Sequence, residues 1–225
     1  MRGKNPIRKP EQGDGTKLKI QKIFVTFQGE GPNAGVPAVF VRLGGCNLNC
    51  DFCDAEFEDF HEMDVTDIIN EIITSANNEK GARTRNLVVI TGGEPLRQPI
   101  ELLCKNLLKE GFKVQIETNG TLFRDLDKRV EIVCSPKNTG KGYKKIREDL
   151  LPKITAFKFV VSNSDELYRD VKDVGQEKHN IPVYVQPLDE YDTKKNEENL
   201  VLARKFVDER GYNLSIQLQK IAGVP

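Results

Sequence analysis

The segment Gly-Gly-Cys-Asn-Leu-Asn-Cys-Asp-Phe-Cys-Asp at positions 44–54 contains three of the chain's five cysteines. Cys46, Cys50 and Cys53 follow the spacing C-x3-C-x2-C, just after the apolar run PAVFVRL at 37–43, which is predicted to be a strand. In folds that alternate strands and helices, loops at the carboxyl ends of strands collect reactive groups, because the sheet holds these loops while their sequences vary. The segment therefore predicts a metal or redox site at the end of a strand.

Three cysteines on one short loop favour an iron–sulfur cluster in which one iron lacks a protein ligand, since an electron-transfer cluster normally has four cysteine ligands. A structural zinc site also needs four ligands. The remaining candidates stand alone along the chain: Cys104, Cys134, His61 and His179. We expect both isolated cysteines to be buried as small hydrophobic residues. A thiol redox pair of Cys50 and Cys53 would leave Cys46 without a role, so the zinc and redox alternatives stay open but have less support.

Length and charge narrow the class of protein. A chain of 225 residues can bury one substantial core, and we predict one domain at 18–225 preceded by a flexible extension at 1–17. Basic and acidic side chains balance at 34 each, which favours a small-molecule partner over nucleic acid. We expect no membrane span, because no apolar run is long enough. The polar start lacks the apolar core of a secretory signal, so we expect a cytoplasmic protein.

Short apolar runs alternate with helical patterns along the chain. The runs predict strands at 19–24, 37–43, 86–91, 113–118, 131–135, 156–161, 183–188 and 214–219. Helical spacing of apolar residues predicts helices at 65–75, 99–110, 165–174 and 197–210. Near-continuous apolar strands suit a sheet covered on both faces. The pattern indicates an α/β fold with a mostly parallel sheet and few helices, too few for a complete eight-fold barrel.

The cysteine segment, with Phe52 before its last cysteine, resembles the signature of the radical S-adenosylmethionine (SAM) superfamily. A second superfamily feature follows about forty residues later as Thr-Gly-Gly-Glu-Pro at 91–95. The resemblance implies an incomplete (β/α) barrel of the radical SAM type, a 4Fe-4S cluster held by Cys46, Cys50 and Cys53, and SAM bound at the open iron. The cofactor-binding residues that it implies are Phe52, Cys53, Asp54, Gly93, Glu117, Ser135, Pro136, Lys137, Gln186, Pro187, Leu188 and Asp189.

Within this superfamily, the hairpin sequence Thr-Phe-Gln-Gly-Glu-Gly at 26–31, followed by Gly-Val-Pro at 35–37 and Phe-Val-Arg-Leu at 40–43, resembles the 7-carboxy-7-deazaguanine synthase family. The likeness runs from about Lys19 to the C-terminus. The substrate-binding residues that it implies are Phe27, Gln28, Gly29, Glu30, Arg42, Thr91 and Pro225. A carboxylated pterin needs amide-type partners and a fixed cation, and Gln28, Glu30 and Arg42 can supply them.

The resemblance implies a lyase of 7-deazapurine (queuosine) biosynthesis, a tRNA modification pathway. The lyase would contract 6-carboxy-5,6,7,8-tetrahydropterin to 7-carboxy-7-deazaguanine with loss of ammonia. No side chain is assigned as catalytic beyond the cluster and SAM. A flavodoxin or ferredoxin as electron donor and a homodimer are also implied.

A glycyl-radical enzyme activase shares the cysteine and Thr-Gly-Gly-Glu-Pro motifs, but the hairpin and Arg42 suit a small planar acid better than a peptide. A non-enzymatic zinc-binding module is the alternative from another class.

Two departures from the family pattern affect the expected site. Ala55 stands where the family usually has a threonine that helps to hold Mg²⁺, and alanine cannot bind a metal. Either water fills that position, another group such as Asp54 contributes, or the metal requirement is weakened. Mg²⁺ is thus a cofactor that only the family resemblance implies. Near the C-terminus, Gln-Leu-Gln-Lys at 217–220 replaces a more usual Gln-Thr-His-Lys, which puts one substrate contact in question.

Overall fold

The computed structural model describes residues 5–50, 53 and 55–224. By its internal contacts the chain divides into two compact units. The first unit contains the described residues of 1–28, 36–118 and 122–132, and the second contains those of 29–35, 119–121 and 133–225. One domain at 18–225, preceded by an extension at 1–17, stays a prediction.

The first unit is built on a sheet of mixed direction. Its strands are β1 (Lys17–Phe27), β2 (Pro37–Leu43), β3 (His61–Asp64), β4 (Leu87–Gly92) and β5 (Lys113–Thr118). Strand β1 pairs antiparallel with both β2 and β3. Strands β2, β4 and β5 run parallel, with Arg42 opposite Thr91 and Leu43 opposite Gly92. The carboxyl ends of β2 and β4 therefore lie side by side.

Helices α1 (Val65–Ala76) and α2 (Glu101–Lys109) belong to the same unit. Ile68 and Ile72 of α1, like Leu103 and Leu107 of α2, are completely buried, as the helical spacing predicts. The strand side chains Val39, Val41, Val88, Ile90, Val114 and Ile116 are also fully buried. All four residues at 87–90 of β4 are buried, which explains why this strand is apolar, whereas β5 has a polar residue between its buried Val114 and Ile116.

Strand β6 (Glu131–Cys134) begins in the first unit and ends in the second. The second unit continues with β7 (Ala156–Val161), α3 (Gln176–His179), β8 (Val183–Pro187), α4 (Thr193–Arg210), β9 (Asn213–Leu214) and α5 (Leu218–Ala222). Strands β6, β7, β8 and β9 pair in parallel in that order. Helix α4 buries Ala203 and Phe206, and Phe157 and Phe159 of β7 are fully buried.

Two predicted elements are wrong, and one strand was not predicted. The predicted helix at 165–174 is reduced to one short turn, Glu166–Tyr168. Asp165 caps this turn by accepting from the Leu167 N–H, whereas Asp170 accepts from the Val171 N–H, a local bond that competes with continuation of the helix. The predicted strand at 214–219 is a strand only at its start, and helix α5 begins at Leu218. The unpredicted strand β3 is the polar edge run His-Glu-Met-Asp, which carries no apolar alternation.

The extension predicted to be flexible at 1–17 is attached to the first unit over most of its described length. The Arg8 N–H donates to the Cys46 carbonyl at 2.7 Å, and the Glu11 N–H donates to the Arg97 carbonyl at 2.7 Å. Asp14 accepts from the backbone N–H and the hydroxyl of Thr16, just before β1 starts at Lys17. Backbone hydrogen bonds therefore join this polar segment to the first unit, and the flexibility of the extension stays a prediction.

Candidate active site

The cysteine loop in the first unit follows β2, and backbone hydrogen bonds fix its first residues. The Gly45 N–H donates to the Phe57 carbonyl at 2.9 Å, and the Glu94 N–H donates to the Gly45 carbonyl at 3.1 Å. Cys46 is buried, whereas Cys50 and Cys53 are partly exposed. The Leu48 N–H points to the Cys46 sulfur at 3.4 Å, a bond that favours the thiolate.

Burial raises the pKa of the Cys46 thiol to about 12, and Glu94 and the two other cysteines add to the rise. Within residues 5–50, 53 and 55–224, no three or more Cys, His, Asp or Glu side chains already stand at metal-binding separations. The donor set nevertheless fits a cluster, since three thiols lie on one loop and a backbone N–H faces one of them. Phe52 and Asp54, which we predicted to bind cofactor, lie outside the described residues.

Gly93 lies against the cysteine loop at the end of β4. A Cβ atom at this position would stand 2.1 Å from the Gly45 carbonyl oxygen and 2.8 Å from the Cys46 nitrogen. No side chain can therefore be accommodated, and the backbone there approaches the loop closely. The neighbouring Glu94 is fully buried and accepts from the Thr118 hydroxyl at 2.7 Å and the Leu96 N–H at 3.0 Å. These bonds give Glu94 a structural part in the turn.

Two residues that we predicted for different ligands meet in the first unit. Gln28 is buried, and its amide nitrogen donates to Glu117 Oε1 at 3.2 Å. Gln115 donates to the same oxygen at 2.7 Å. The sequence prediction placed Gln28 with the substrate and Glu117 with the cofactor, so the two expected subsites adjoin through one hydrogen bond.

Arg42 is near the end of β2, and its guanidinium carbon lies 5.4 Å from the centre of the Phe24 ring. Phe24 in turn stacks on Phe40 with 5.3 Å between ring centres. Thr91 is the register partner of Arg42 on β4, and Phe27 ends β1 opposite Pro37. The structure therefore brings Arg42 and Thr91 to the same sheet edge as the cysteine loop.

The second unit contains the other part of the predicted hairpin. Glu30 accepts from Lys158 Nζ at 2.6 Å, from Gln217 Nε2 at 3.0 Å and from Gln219 Nε2 at 2.9 Å. Burial disfavours the charge on Glu30, but Lys158 and the two amides outweigh it and lower the pKa of Glu30 to about 2. The Leu218 N–H donates to the Gly29 carbonyl at 3.1 Å. Helix α5 and the residue before it are thus hydrogen-bonded to Gly29 and Glu30.

The predicted cofactor residues of the second unit follow β6 and β8. Lys137 Nζ donates to the Ser135 hydroxyl at 2.6 Å, and Pro136 lies between them. Gln186 Oε1 accepts from the Ser215 hydroxyl at 3.0 Å. Pro187 ends β8, and the Leu188 N–H continues the pairing to the Val161 carbonyl at 2.9 Å.

Asp189 is already engaged by protein groups. It accepts from Lys220 Nζ at 2.6 Å and Asn196 Nδ2 at 2.8 Å. Burial opposes its charge, but these bonds and the Tyr191 N–H lower the pKa of Asp189 to about 2. Ala55 offers only its backbone carbonyl, which lies 3.9 Å from the Cys53 sulfur. Pro225 lies outside the described residues.

The sequence motifs assigned no role to Lys158, Gln217 or Gln219. Lys158 is a charged residue in the middle of the apolar run AFKFVV, and this interruption is the signal that could have identified it. The two glutamines carry no comparable local signal. Their partner Glu30 lies far away in sequence.

The chain matches the family model of the Radical SAM superfamily over residues 40–183. It is 55% identical to the 7-carboxy-7-deazaguanine synthase of Rickettsia prowazekii, over 100% of this chain and 96% of that protein. It is 39% identical to the 7-carboxy-7-deazaguanine synthase of Rhodospirillum rubrum, over 98% of each chain. Among solved structures, the crystal structure of QueE from Escherichia coli matches with a TM-score of 0.71 and 27% identity, over 89% of this chain and 94% of that chain.

The chain therefore belongs to the 7-carboxy-7-deazaguanine synthase family of the radical SAM superfamily. The family assignment confirms the predicted fold class, an α/β fold of the radical SAM type with a mostly parallel sheet. It also carries the requirement for a 4Fe-4S cluster and SAM. None of the helices within the described residues has the length and apolar character needed to cross a membrane.

Proposed function

We propose that this protein converts 6-carboxy-5,6,7,8-tetrahydropterin to 7-carboxy-7-deazaguanine with loss of ammonia, in the biosynthesis of queuosine-type 7-deazapurines. The observation that carries the proposal is 55% identity to a 7-carboxy-7-deazaguanine synthase along the whole chain. When bound, the cluster and SAM supply a hydrogen-abstracting radical through reductive cleavage of a sulfonium bond. The protein's own residues bind and orient the reactants and exclude water.

Cys46, Cys50 and Cys53 would hold the cluster. Gly93, Glu117, Ser135 to Lys137, Gln186 to Asp189, Phe52 and Asp54 would contact SAM. The closeness of Gly93 to the cysteine loop supports this assignment, because a ligand held by the loop can approach the backbone there. Asp189 already has two donors, so we expect its contact to be made mainly through its backbone.

Arg42 would pair with the substrate carboxylate, and Phe27, Gln28, Gly29, Glu30, Thr91 and Pro225 would hold the ring system. Gln219, whose side chain lies beside Gly29, supports a polar contact with the substrate. Its amide nitrogen donates to the ionised Glu30, while its Oε1 is buried and has no hydrogen-bond partner among the described residues. A buried acceptor of this kind favours a ligand that presents an N–H group.

Mg²⁺, a flavodoxin or ferredoxin as electron donor, a homodimer and a cytoplasmic location belong to the same proposal and rest on the family resemblance. All five cysteines lie among the described residues and none of them forms a disulfide there, which suits a reducing compartment. Ala55 provides no side-chain ligand, so any Mg²⁺ would depend on water and on groups such as Asp54.

The test is anaerobic incubation of the reduced, cluster-loaded protein with SAM and 6-carboxy-5,6,7,8-tetrahydropterin, with mass detection of the products. We expect 7-carboxy-7-deazaguanine to form. In the Arg42→Ala variant, the KM for the substrate should rise at least about tenfold, since a charge-assisted bond is lost, while iron content stays unchanged. Cleavage of SAM without deazaguanine product would refute the substrate assignment, and colourless protein containing zinc would refute the proposal as a whole.

A further inference from the structure

Residues 7–11, the N-terminal strap, contact the cysteine loop within the first unit. Ile7 pairs with Cys46 as a parallel β-bridge, and the Arg8 N–H donates to the Cys46 carbonyl at 2.7 Å. The Glu11 N–H donates to the carbonyl of Arg97, in the turn that follows β4, at 2.7 Å. The strap therefore joins the backbone of the first cysteine to that turn.

Arg97 extends this connection through its side chain, which is only 1% exposed. Its Nη2 donates to the Gly44 carbonyl at 2.7 Å, and its Nη1 donates to Glu11 Oε1 at 2.7 Å and to the Lys9 carbonyl at 3.3 Å. A Cβ atom at Gly45 would stand 3.0 Å from Nη2. The guanidinium thus lies directly against the backbone of the cysteine loop.

A buried guanidinium needs a counter-charge, because an unpaired charge in a protein interior is strongly unfavourable. Glu11 provides it, and also accepts from Lys19 Nζ at 2.6 Å. Burial opposes the charge on Glu11, but Lys19 and Arg97 outweigh it and hold the pKa of Glu11 below its usual value. Glu11 is therefore ionised at neutral pH and keeps Arg97 directed at Gly44.

We propose that Glu11 and Arg97 are positioning residues that fix the backbone of residues 44–46 and thereby orient Cys46. The inference rests on the proposed role of Cys46 in holding the cluster. Without the Glu11 charge, Arg97 turns towards water and releases the Gly44 carbonyl, to which Gln98 donates a longer bond of 3.2 Å. The loop then opens more often, and the cluster is lost faster.

The experiment compares Glu11→Gln with the matched control Glu62→Gln in the full-length, cluster-loaded protein. Glu62 belongs to the same unit but forms an exposed ion pair with Lys17 at 3.5 Å. The readouts are the rate of iron loss to an excess of chelator and the hydrogen exchange of residues 44–46. We expect Glu11→Gln to raise both rates about tenfold through local opening. Exchange in β4 and β5 should change less than about twofold, and Glu62→Gln should behave as the parent protein.

Equal acceleration of exchange in β4, β5 and the loop would show that Glu11 only stabilises the fold, and would overturn the proposal. Unchanged rates at residues 44–46 would overturn it as well. If Glu11→Gln does not fold, the second variant is Glu11→Asp, which keeps the charge on a shorter side chain. We expect it to raise the rates of iron loss and of exchange at residues 44–46 about threefold. Rates equal to those of the parent protein would overturn the proposal. If the parent protein binds no iron, the proposed function fails, while exchange at residues 44–46 still decides whether the strap controls the loop.

Discussion

At the scale of single residues, Glu30 is a buried carboxylate of the second unit that is stabilised by a cation and two amides. Lys158 neutralises one oxygen at 2.6 Å, and the amides of Gln217 and Gln219 bind the other. The side chain of Lys158 is itself only 8% exposed. Removing one member of such a pair leaves the other as an uncompensated charge.

Replacement of Lys158 by methionine should therefore destabilise the protein by about 3–5 kcal/mol at neutral pH. The pKa of Glu30 should rise, because burial then acts without its main opposing charge. Urea denaturation gives the change in the free energy of unfolding.

Lys145→Met is the matched control for this measurement. Lys145 pairs with Glu148 at 2.7 Å, but both side chains are about four-fifths exposed, at 80% and 78%. We expect a change of less than about 0.5 kcal/mol there. If Lys158→Met and Lys145→Met lowered the free energy of unfolding by similar amounts, the buried pair would not have the importance assigned to it.

At the scale of elements, the turn at 119–121 shows how the loop that follows β5 is held. Asn119 Oδ1 accepts from the Thr121 N–H at 2.9 Å and from the Thr121 hydroxyl at 2.6 Å. The Arg147 N–H donates to the Gly120 carbonyl at 2.9 Å. Gly120 has a φ of +77°, and a Cβ atom there would stand 2.5 Å from the Cys134 sulfur and 2.8 Å from Ile146 Cδ1. The position combines a left-handed backbone with tight packing.

Gly120→Ala should cost about 1–2 kcal/mol for the left-handed backbone and about 1–3 kcal/mol more for the overpacked contacts. Gly140→Ala separates the two contributions, since Gly140 has a φ of +89° with no atom within 4 Å of a Cβ. It should show only the backbone cost. Equal denaturation midpoints for the two variants would rule out the packing contribution.

At the scale of the whole molecule, several carboxylates respond alike to acid. Burial opposes the charges on Asp189 and Glu190, but hydrogen-bond donors lower the pKa of each to about 2, as they do for Glu30. The pKa of Glu11 is also lowered by its two cations, against the effect of burial. A carboxyl whose pKa is depressed on folding stabilises the protein above its ordinary pKa and loses this contribution as the pH falls.

The free energy of unfolding should therefore change little between about pH 7 and pH 5 and fall steeply between about pH 4.5 and pH 2. Urea midpoints across this range measure the slope. Glu190→Gln removes one of the titrating groups and should make the slope shallower by up to about 1.4 kcal/mol per pH unit. A flat profile would contradict the assigned pKa directions.

Much of the fold follows from local sequence patterns. The runs at 37–43, 113–118 and 156–161 are strands with the predicted bounds, because their β-branched and aromatic residues favour strands. The cysteine spacing and the hairpin at 26–31 were sufficient for the family, which the comparisons confirm. The predicted helix at 165–174 stops after one turn, since Asp170 binds the backbone locally and a periodic pattern does not report such a bond.

The amino-acid sequence by itself thus determined the class of fold, the cysteine loop and the family. Only the tertiary structure decided that Glu30 is paired with Lys158 and two glutamines of the C-terminal segment, and that residues 7–11 are held against Cys46. The physical reason is that local spacing sets the type of an element. The partner of a buried charge depends on which distant segments pack beside it, and no short stretch of sequence records that choice.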